Sequence, residues 1–335
     1  MKFKRTNISN SLGCVLAHSI KIRDGKLKKG QIISKLDLKK LSELKLENIL
    51  VGKLDKDEIT ENKAADIIAN SIISKNIYKK QAFTGRCNLY SKYNGVLEIP
   101  DKIIDKINTI HESITIATLP MWSLVKKNQM IATIKIIPFA TKLKYINKVQ
   151  SYVYKNSSKL KVHKLKQNKI GIIYTKYAHN EAKNQHKTSN VIKTRLLSLG
   201  SSISKEIVSE HNENEIAISI KNLLKQKCNP ILIYGASAII DRSDVVPMGI
   251  KISGGRIDHF GMPVDPGNLL LLGRVKNTTI IGIPSCAKSP KLNGFDWVLW
   301  RILSGLNIKS KDIQSLGVGG LLKEISSRPQ PREEN

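Results

Sequence analysis

The chain has no uninterrupted apolar run of about eighteen residues, the length a membrane-crossing helix needs. Its opening, "MKFKRTNISNSLG", carries basic residues with no hydrophobic segment behind them. Neither a membrane span nor a secretory signal is expected, and a cytoplasmic protein is. Cysteine is scarce: Cys14, Cys87, Cys228 and Cys286 stand far apart and none pairs at metal-ligand spacing. That excludes a disulfide framework and a zinc site and reads as reduced thiols. The P-loop pattern, an "HExxH" pair and a "GxSxG" after a strand are missing too; "GASAI" fails at its fifth position. No reaction type follows from a motif.

Acid is also in short supply, with 27 Asp and Glu against 56 Lys and Arg, a formal charge of +29. A cationic surface releases counterions from phosphate backbones, so nucleic acid is one reading of this charge. Arginine, which grips phosphate and guanine bidentately, is sparse beside lysine. Lysine, isoleucine and asparagine share A/T-rich codons, and a biased genome is a sufficient source of such a surface. Small anionic ligands are the expected partners, with a basic nucleic-acid-binding or assembly protein as an alternative.

What is present is enough for a substantial core: 335 residues, 41% of them hydrophobic, suit two domains or one with an elaborated partner. Residues 1–75 read as an α+β module. "CVLAHSIKI" and "ENILVGKL" are its strands, and "SKLDLKKLSELKL" and "ENKAADIIANSII" its helices. Ser34 or Asp37 caps the first helix, and Leu36, Leu41 and Leu44 supply its apolar face. Residues 80–160 read as a β-rich module with strands in "GRCNLYSKYNGVLEIP", "ITIATLP", "QMIATIKIIPFAT" and "SYVYK", and a helical piece near "DKIIDKINTIHE".

From residue 165 to 320 the pattern becomes regular. "IGIIYT", "SISKEIVSE" and "PILIY" are strands separated by the helices "KTSNVIKTRLLSLG" and "NENEIAISIKNLLKQK", the second capped by Asn212 or Asn214. "NLLLLG" and "TTIIGIP" add two strands, and "LNGFDWVLWRILSGL" a helix whose Trp297 and Trp300 are expected to pack on the sheet. The fold class is therefore α/β: a C-terminal three-layer α/β/α domain with a mostly parallel sheet, preceded by smaller α+β and β-rich modules. The tail, 326–335, is expected to be disordered.

Small, acidic and turn-forming residues concentrate between Leu232 and Asn268, "LIYGASAIIDRSDVVPMGIKISGGRIDHFGMPVDPGN". Ligands of open α/β sheets collect outside the carboxyl ends of the strands, and Gly235 immediately follows one. Gly235 offers a tight turn and Ser237 a hydroxyl, while Asp241 and Asp244 either hold a ligand or magnesium or cap a helix. Gly254, Gly255, Pro266 and Gly267 give the following segment fixed turns. His259 lies in that segment as a potential hydrogen-bonding group. Two strand ends further on, "GIPSCAKSPKLNG" places Pro284, Ser285 and Lys288, the lysine as a point charge for phosphate.

Three segments carry a resemblance: "YGASAIIDRSD", "DHFGMPVDPGNLLLLG" and "TTIIGIPSCAKSPKLNGFDWVLWR". Residues from about 168 to 305 resemble the molybdopterin-binding domain shared by molybdenum cofactor biosynthesis proteins, and the whole chain is similar to a less characterised branch of molybdopterin-binding proteins. The resemblance implies a cytoplasmic protein that binds molybdopterin or molybdenum cofactor during its biosynthesis, maturation or handover. Its implied contacts are Gly235, Ser237, Asp241, Asp244, Gly254, Gly255, Asp265, Pro266, Gly267, Pro284, Ser285 and Lys288, with Asp244 as a magnesium ligand. A nucleotidyltransferase or a molybdoenzyme maturation protein is the implied partner, and a homo-oligomer the implied assembly. A molybdenum-insertion-like enzyme hydrolysing adenylylated molybdopterin is the alternative. Against it, Ser285 and Cys286 stand where those enzymes carry a Gly-Asn pair, and neither their further β domain nor their apolar-acidic opening motif is found.

Overall fold

The computed structural model describes residues 1–44, 46–100, 102–157, 159–177 and 183–322. The tail 326–335, expected to be disordered, lies outside the described residues. No helix among them is long and apolar enough to cross a membrane. The chain divides into two compact units, Met1–Val162 and His163–Asn335.

In the first unit, strands Lys2–Asn7 and Val15–Leu16 pair antiparallel with Asn48–Lys53. Helix Lys35–Ser42 begins with a reciprocal cap: Ser34 Oγ accepts from the Asp37 N–H at 3.2 Å, and the Asp37 carboxylate accepts from the Ser34 N–H at 2.9 Å. Leu41 is buried, but Leu36 is 62% exposed, contrary to its expected place on the apolar face. Five positions separate the two, about 140° around a helix, so one stripe does not hold both. Helix Glu61–Ile72 lays Ala64, Ala65, Ile68, Ala69 and Ile72 into the core of a four-stranded sheet ordered Ile114–Thr118, Met130–Ile136, Arg86–Ser91, Ile77–Lys79. "SYVYK" is not a strand. It ends helix Leu143–Lys155, whose Ile146, Val149 and Val153 are buried at three- and four-residue spacing, and this period outweighs the β-propensity of Tyr and Val.

The second unit is built on a six-stranded sheet. Its strands are β1 (Lys169–Lys176), β2 (Ser202–Glu210), β3 (Ile231–Tyr234), β4 (Arg256–Phe260), β5 (Leu271–Val275) and β6 (Thr278–Gly282), in the order β2-β1-β3-β6-β5-β4. Helices α1 (Lys183–Ser198), α2 (Glu213–Lys225), α3 (Val245–Ile252), α4 (Gly294–Leu303) and α5 (Ser310–Gln314) complete it. β2, β1, β3 and β6 are mutually parallel; β5 runs antiparallel to both of its neighbours, β6 and β4. β4 was not evident in the sequence, where "GGRIDHFGMPVDPGN" reads as turns; it forms an edge of the sheet.

The chain moves from β1 outward to β2, then back across β1 to β3. Right-handed crossovers in opposite directions put α1 and α2 on opposite faces. On the α2 face, Ile216, Ile220 and Leu223 of α2 and Val246 and Ile250 of α3 close over Ile173, Ile231, Ile233, Leu271 and Ile280 of the sheet. By strand alternation Ile172, Leu232 and Ile281 face the other way, and all are buried. Asn212, one of the two candidates, caps α2 by accepting from the Glu215 N–H at 2.9 Å. Phe295, Val298, Leu299 and Leu303 of α4 are buried, whereas Trp297 and Trp300 are half-buried.

Between α1 and α4 lies a buried ion pair, Arg195 Nε to Asp296 Oδ1 at 2.9 Å, each side chain 8% exposed. Arg195 also donates through Nη1 to the Ala287 carbonyl at 2.7 Å, and through Nη2 to those of Ser289 at 2.5 Å and Lys291 at 2.8 Å. Asp296 Oδ2 accepts from the Asn293 N–H at 2.9 Å, closing a capping box on α4. Burial pushes the Asp296 carboxyl above its ordinary value while Arg195 and the Asn293 N–H pull it down. Replacing Arg195 with Met leaves this acid buried without its counter-ion, a change that costs about 3–5 kcal/mol at neutral pH. Below the raised pKa of Asp296 the acid takes up a proton, so the loss shrinks in acid. Urea unfolding followed by tryptophan fluorescence at pH 7 and pH 5 measures both.

Candidate ligand-binding site at the strand ends

β1, β2, β3, β4 and β6 all finish at one edge of the sheet, which gathers there the described segments that follow β2, β3, β4 and β6. The order reverses between β1 and β3, which is the crevice where open α/β sheets take ligands. Thr175, the penultimate residue of β1, is buried and lies across that crevice from Gly235. The Ala236 N–H donates to Thr175 Oγ1 at 2.8 Å, which pins the segment after β3 to the end of β1. Gly235 is required for the turn, because a Cβ there would stand 2.6 Å from the Ser237 carbonyl oxygen.

His211 joins this pair from the end of β2, its N–H donating to the Lys176 carbonyl at 2.8 Å. Its ring bridges two hydroxyls, with Nδ1 2.7 Å from Thr175 Oγ1 and Nε2 3.1 Å from Ser237 Oγ. The proton positions follow from the partners. Thr175 Oγ1 already accepts from Ala236, and among the described residues its hydroxyl hydrogen has His211 Nδ1 as its one acceptor. Nδ1 is then the accepting nitrogen and Nε2–H donates to Ser237, whose own hydrogen is left for an outside acceptor. Burial lowers the His211 pKa, with the Asp244 carboxylate acting in the opposite direction. The edge of the ring also meets Tyr177, with centroids 5.0 Å apart.

The aspartates after β3 serve the loop first. Asp244 is the N-cap of α3: Oδ1 accepts from the Val245 N–H at 2.7 Å and Oδ2 from the Ile240 N–H at 3.1 Å. Asp241 Oδ1 accepts from the Ser243 N–H at 2.6 Å, a contact that holds its carboxyl below the usual range. Among the described residues no group of three or more His, Cys, Asp or Glu could hold a metal ion.

The segment after β6 turns through a short 3₁₀ helix, Ser285–Lys288, with Pro284 buried and Ser285 and Lys288 exposed. Lys288 Nζ reaches over the Tyr234 ring at 5.8 Å, which brings this segment to the end of β3. The segment after β4 seats Pro266 and Gly267 on the start of α4. The Pro266 carbonyl accepts from the Gly294 N–H at 2.8 Å, and Gly267, at φ +145, has no room for a Cβ 2.8 Å from that nitrogen. Asp265 is tied by its backbone to Gly320 and Leu322.

Of the sequence-derived candidates, Gly235, Ser237, Asp241, Asp244, Asp265, Pro266, Gly267, Pro284, Ser285 and Lys288 therefore lie in segments at this edge. Gly254 and Gly255 do not. They end α3 and precede β4, at the opposite edge, where the Gly254 N–H donates to the Lys251 carbonyl and the Gly255 N–H to that of Ile250. His259 is within β4 and bonds Ser310 Oγ through Nδ1 at 2.7 Å. Sequence reasoning missed Thr175, His211 and Arg195. The signal for His211 was its place, directly after a strand and directly before the cap of the next helix.

No family model matches the chain, and no curated protein matches it. Solved structures share weak, partial similarity. The molybdopterin biosynthesis MoeA protein from Pyrococcus horikosii is 12% identical, with 74% of this chain and 79% of that one covered and a TM-score of 0.32. A molybdenum cofactor biosynthesis protein B is 11% identical over 42% of this chain and 96% of that one, at a TM-score of 0.31. A molybdenum cofactor biosynthesis protein from Corynebacterium diphtheriae is 15% identical over 43% and 100%, at 0.30. Likeness at this level says nothing about ligand or activity.

Burial keeps His211 neutral at physiological pH. Because its folded pKa lies below the ordinary value of about 6.5, the unfolded state binds the proton first, and stability from this group is lost as pH falls below that value. Ring NMR titration is expected to show His211 below the ordinary value in the native protein. Asp244→Asn keeps a capping side chain and removes the opposing charge, so it lowers the His211 pKa further.

Proposed function

We propose that the unit His163–Asn335 binds a phosphorylated pterin of the molybdopterin or molybdenum-cofactor type at the strand ends, in order to hold it for maturation or handover. The observation that carries this reading is the Thr175–His211–Ser237 chain at the crevice between β1 and β3. It orients a hydroxyl hydrogen outward, toward where an anionic oxygen would sit, and Lys288, over the Tyr234 ring at the end of β3, supplies a cation at the same strand end. The resemblance of the three loop segments names the anion's carrier.

A pterin presents N–H donors, and Asp241 and Asp265 would accept them from the segments on either side. The same proton order speaks against hydrolysis by Ser237 and His211. Ser237 receives a hydrogen bond from His211 Nε2, so the imidazole is not placed to take its proton. For magnesium, the described residues hold no group of three or more His, Cys, Asp or Glu that could keep a resident ion. No step is assigned to it. A cofactor held without turnover must be passed on, and a nucleotidyltransferase or a molybdoenzyme maturation protein is the expected recipient.

Protein purified from cells competent in cofactor synthesis is expected to release near-stoichiometric fluorescent pterin after denaturation and oxidation. Changing Ser237 and Lys288 to Ala removes a hydroxyl donor and a cation, and roughly tenfold or greater loss of retained pterin is expected. Absence of pterin from the wild-type protein, even after incubation with supplied cofactor, contradicts the proposal.

A further inference from the structure

β5 returns to β6 through a two-residue turn, Lys276 and Asn277, at the edge of the sheet opposite the strand-end loops. Beside this turn opens a cavity of about 500 Å³ lined by Arg256, Arg274, Lys276, Asn277, Asn307 and Lys309, with Asp258 among them. A second hollow of about 300 Å³ shares Arg274 and Asn307 with it. The two make one polar groove.

The charges in the groove do not cancel. Asp258 Oδ1 accepts from Arg256 Nε at 2.9 Å and Oδ2 from Arg274 Nε at 3.2 Å, so a single carboxylate aligns two guanidiniums. Arg274 Nη2 is fixed further by donating to Asn307 Oδ1 at 2.9 Å. Lys276 and Lys309 are exposed, and among the described residues neither makes an ion pair. Four cations thus surround one acid, and their mutual repulsion is relieved by a bound anion. Lys276 adopts φ +51, a left-handed conformation in a two-residue turn where Asn or Gly is the unstrained choice. Backbone strain of this kind gathers where a side chain is needed in place. No aromatic side chain lines the first cavity, so nothing there would stack on a base.

We infer that this groove is a second anion site, separate from the strand ends, and that it takes a small anion bearing two or more phosphate groups. Two aligned guanidiniums match a pair of phosphates, and the lysines supply point charges at the rim. The inference does not depend on the pterin reading.

Calorimetric titration with inorganic pyrophosphate tests it, in the Ser237→Ala, Lys288→Ala background so that the strand ends contribute nothing. At about 50 mM salt, where surface charge is only partly screened, saturable binding is expected. Adding Lys276→Glu and Lys309→Glu, both exposed, is expected to weaken it by roughly tenfold or more, as for charge reversal in a site. Adding Lys221→Glu and Lys225→Glu on α2 changes the net charge equally and is expected to leave affinity within about twofold. No saturable binding in that background, or equal weakening by the two charge reversals, overturns the proposal.

Discussion

The segment after β6 has one 3₁₀ turn and otherwise no regular structure, so its carbonyls must find donors outside themselves. Arg195 provides them. One planar guanidinium, buried between α1 and α4, binds three carbonyls of the segment and the carboxylate of Asp296, which in turn caps α4. The helix that receives Pro266 and Gly267, and the loop that presents Ser285 and Lys288, are therefore held by the same side chain. Lysine would not replace it, since a single ammonium lacks the fork that reaches several acceptors at fixed angles.

From that fixed frame the site follows by topology. Strands running in one direction bring together Thr175, His211, Ser237 and Lys288, which are far apart in sequence. The chain of hydroxyl, imidazole and hydroxyl then sets the role of each group. Ala236 engages Thr175, Thr175 sets the tautomer of His211, and His211 turns Ser237 into an outward donor. Burial keeps the imidazole neutral, so the positive charge toward a ligand comes from Lys288. The proposed holding of an anion rests on this arrangement. The aspartates that look most like metal ligands instead keep the loop after β3 in shape.

Much of this was legible in the sequence, and the failures have physical causes. The alternation of strands with helices from 165 onward shows directly in hydrophobic period, and the glycine after β3 marks a strand end. The reversal of β5 was not read: taken as "NLLLLG" the strand stops at Gly273, and only its end at Val275 leaves the two-residue hairpin turn before β6. β4 was hidden because "RIDHF" on a sheet edge mixes charged and apolar residues and follows a glycine pair that reads as loop. "SYVYK" misled by composition, since only the longer window from Leu143 reveals the helical period. Gly254 and Gly255 belong to a helix end, and proximity in sequence to Ser237 concealed a whole helix between them. Partners such as Arg195 and Asp296, 101 positions apart, leave no local pattern at all.

The central claim is that the segments after β3 and β6 form one ligand site. Hydrogen–deuterium exchange of the protein with and without molybdopterin tests it most directly. The account predicts that amides of 235–244 and 284–291 gain protection together on adding the ligand. Protection of neither segment, or protection confined to residues around Lys276 and Lys309, would contradict it.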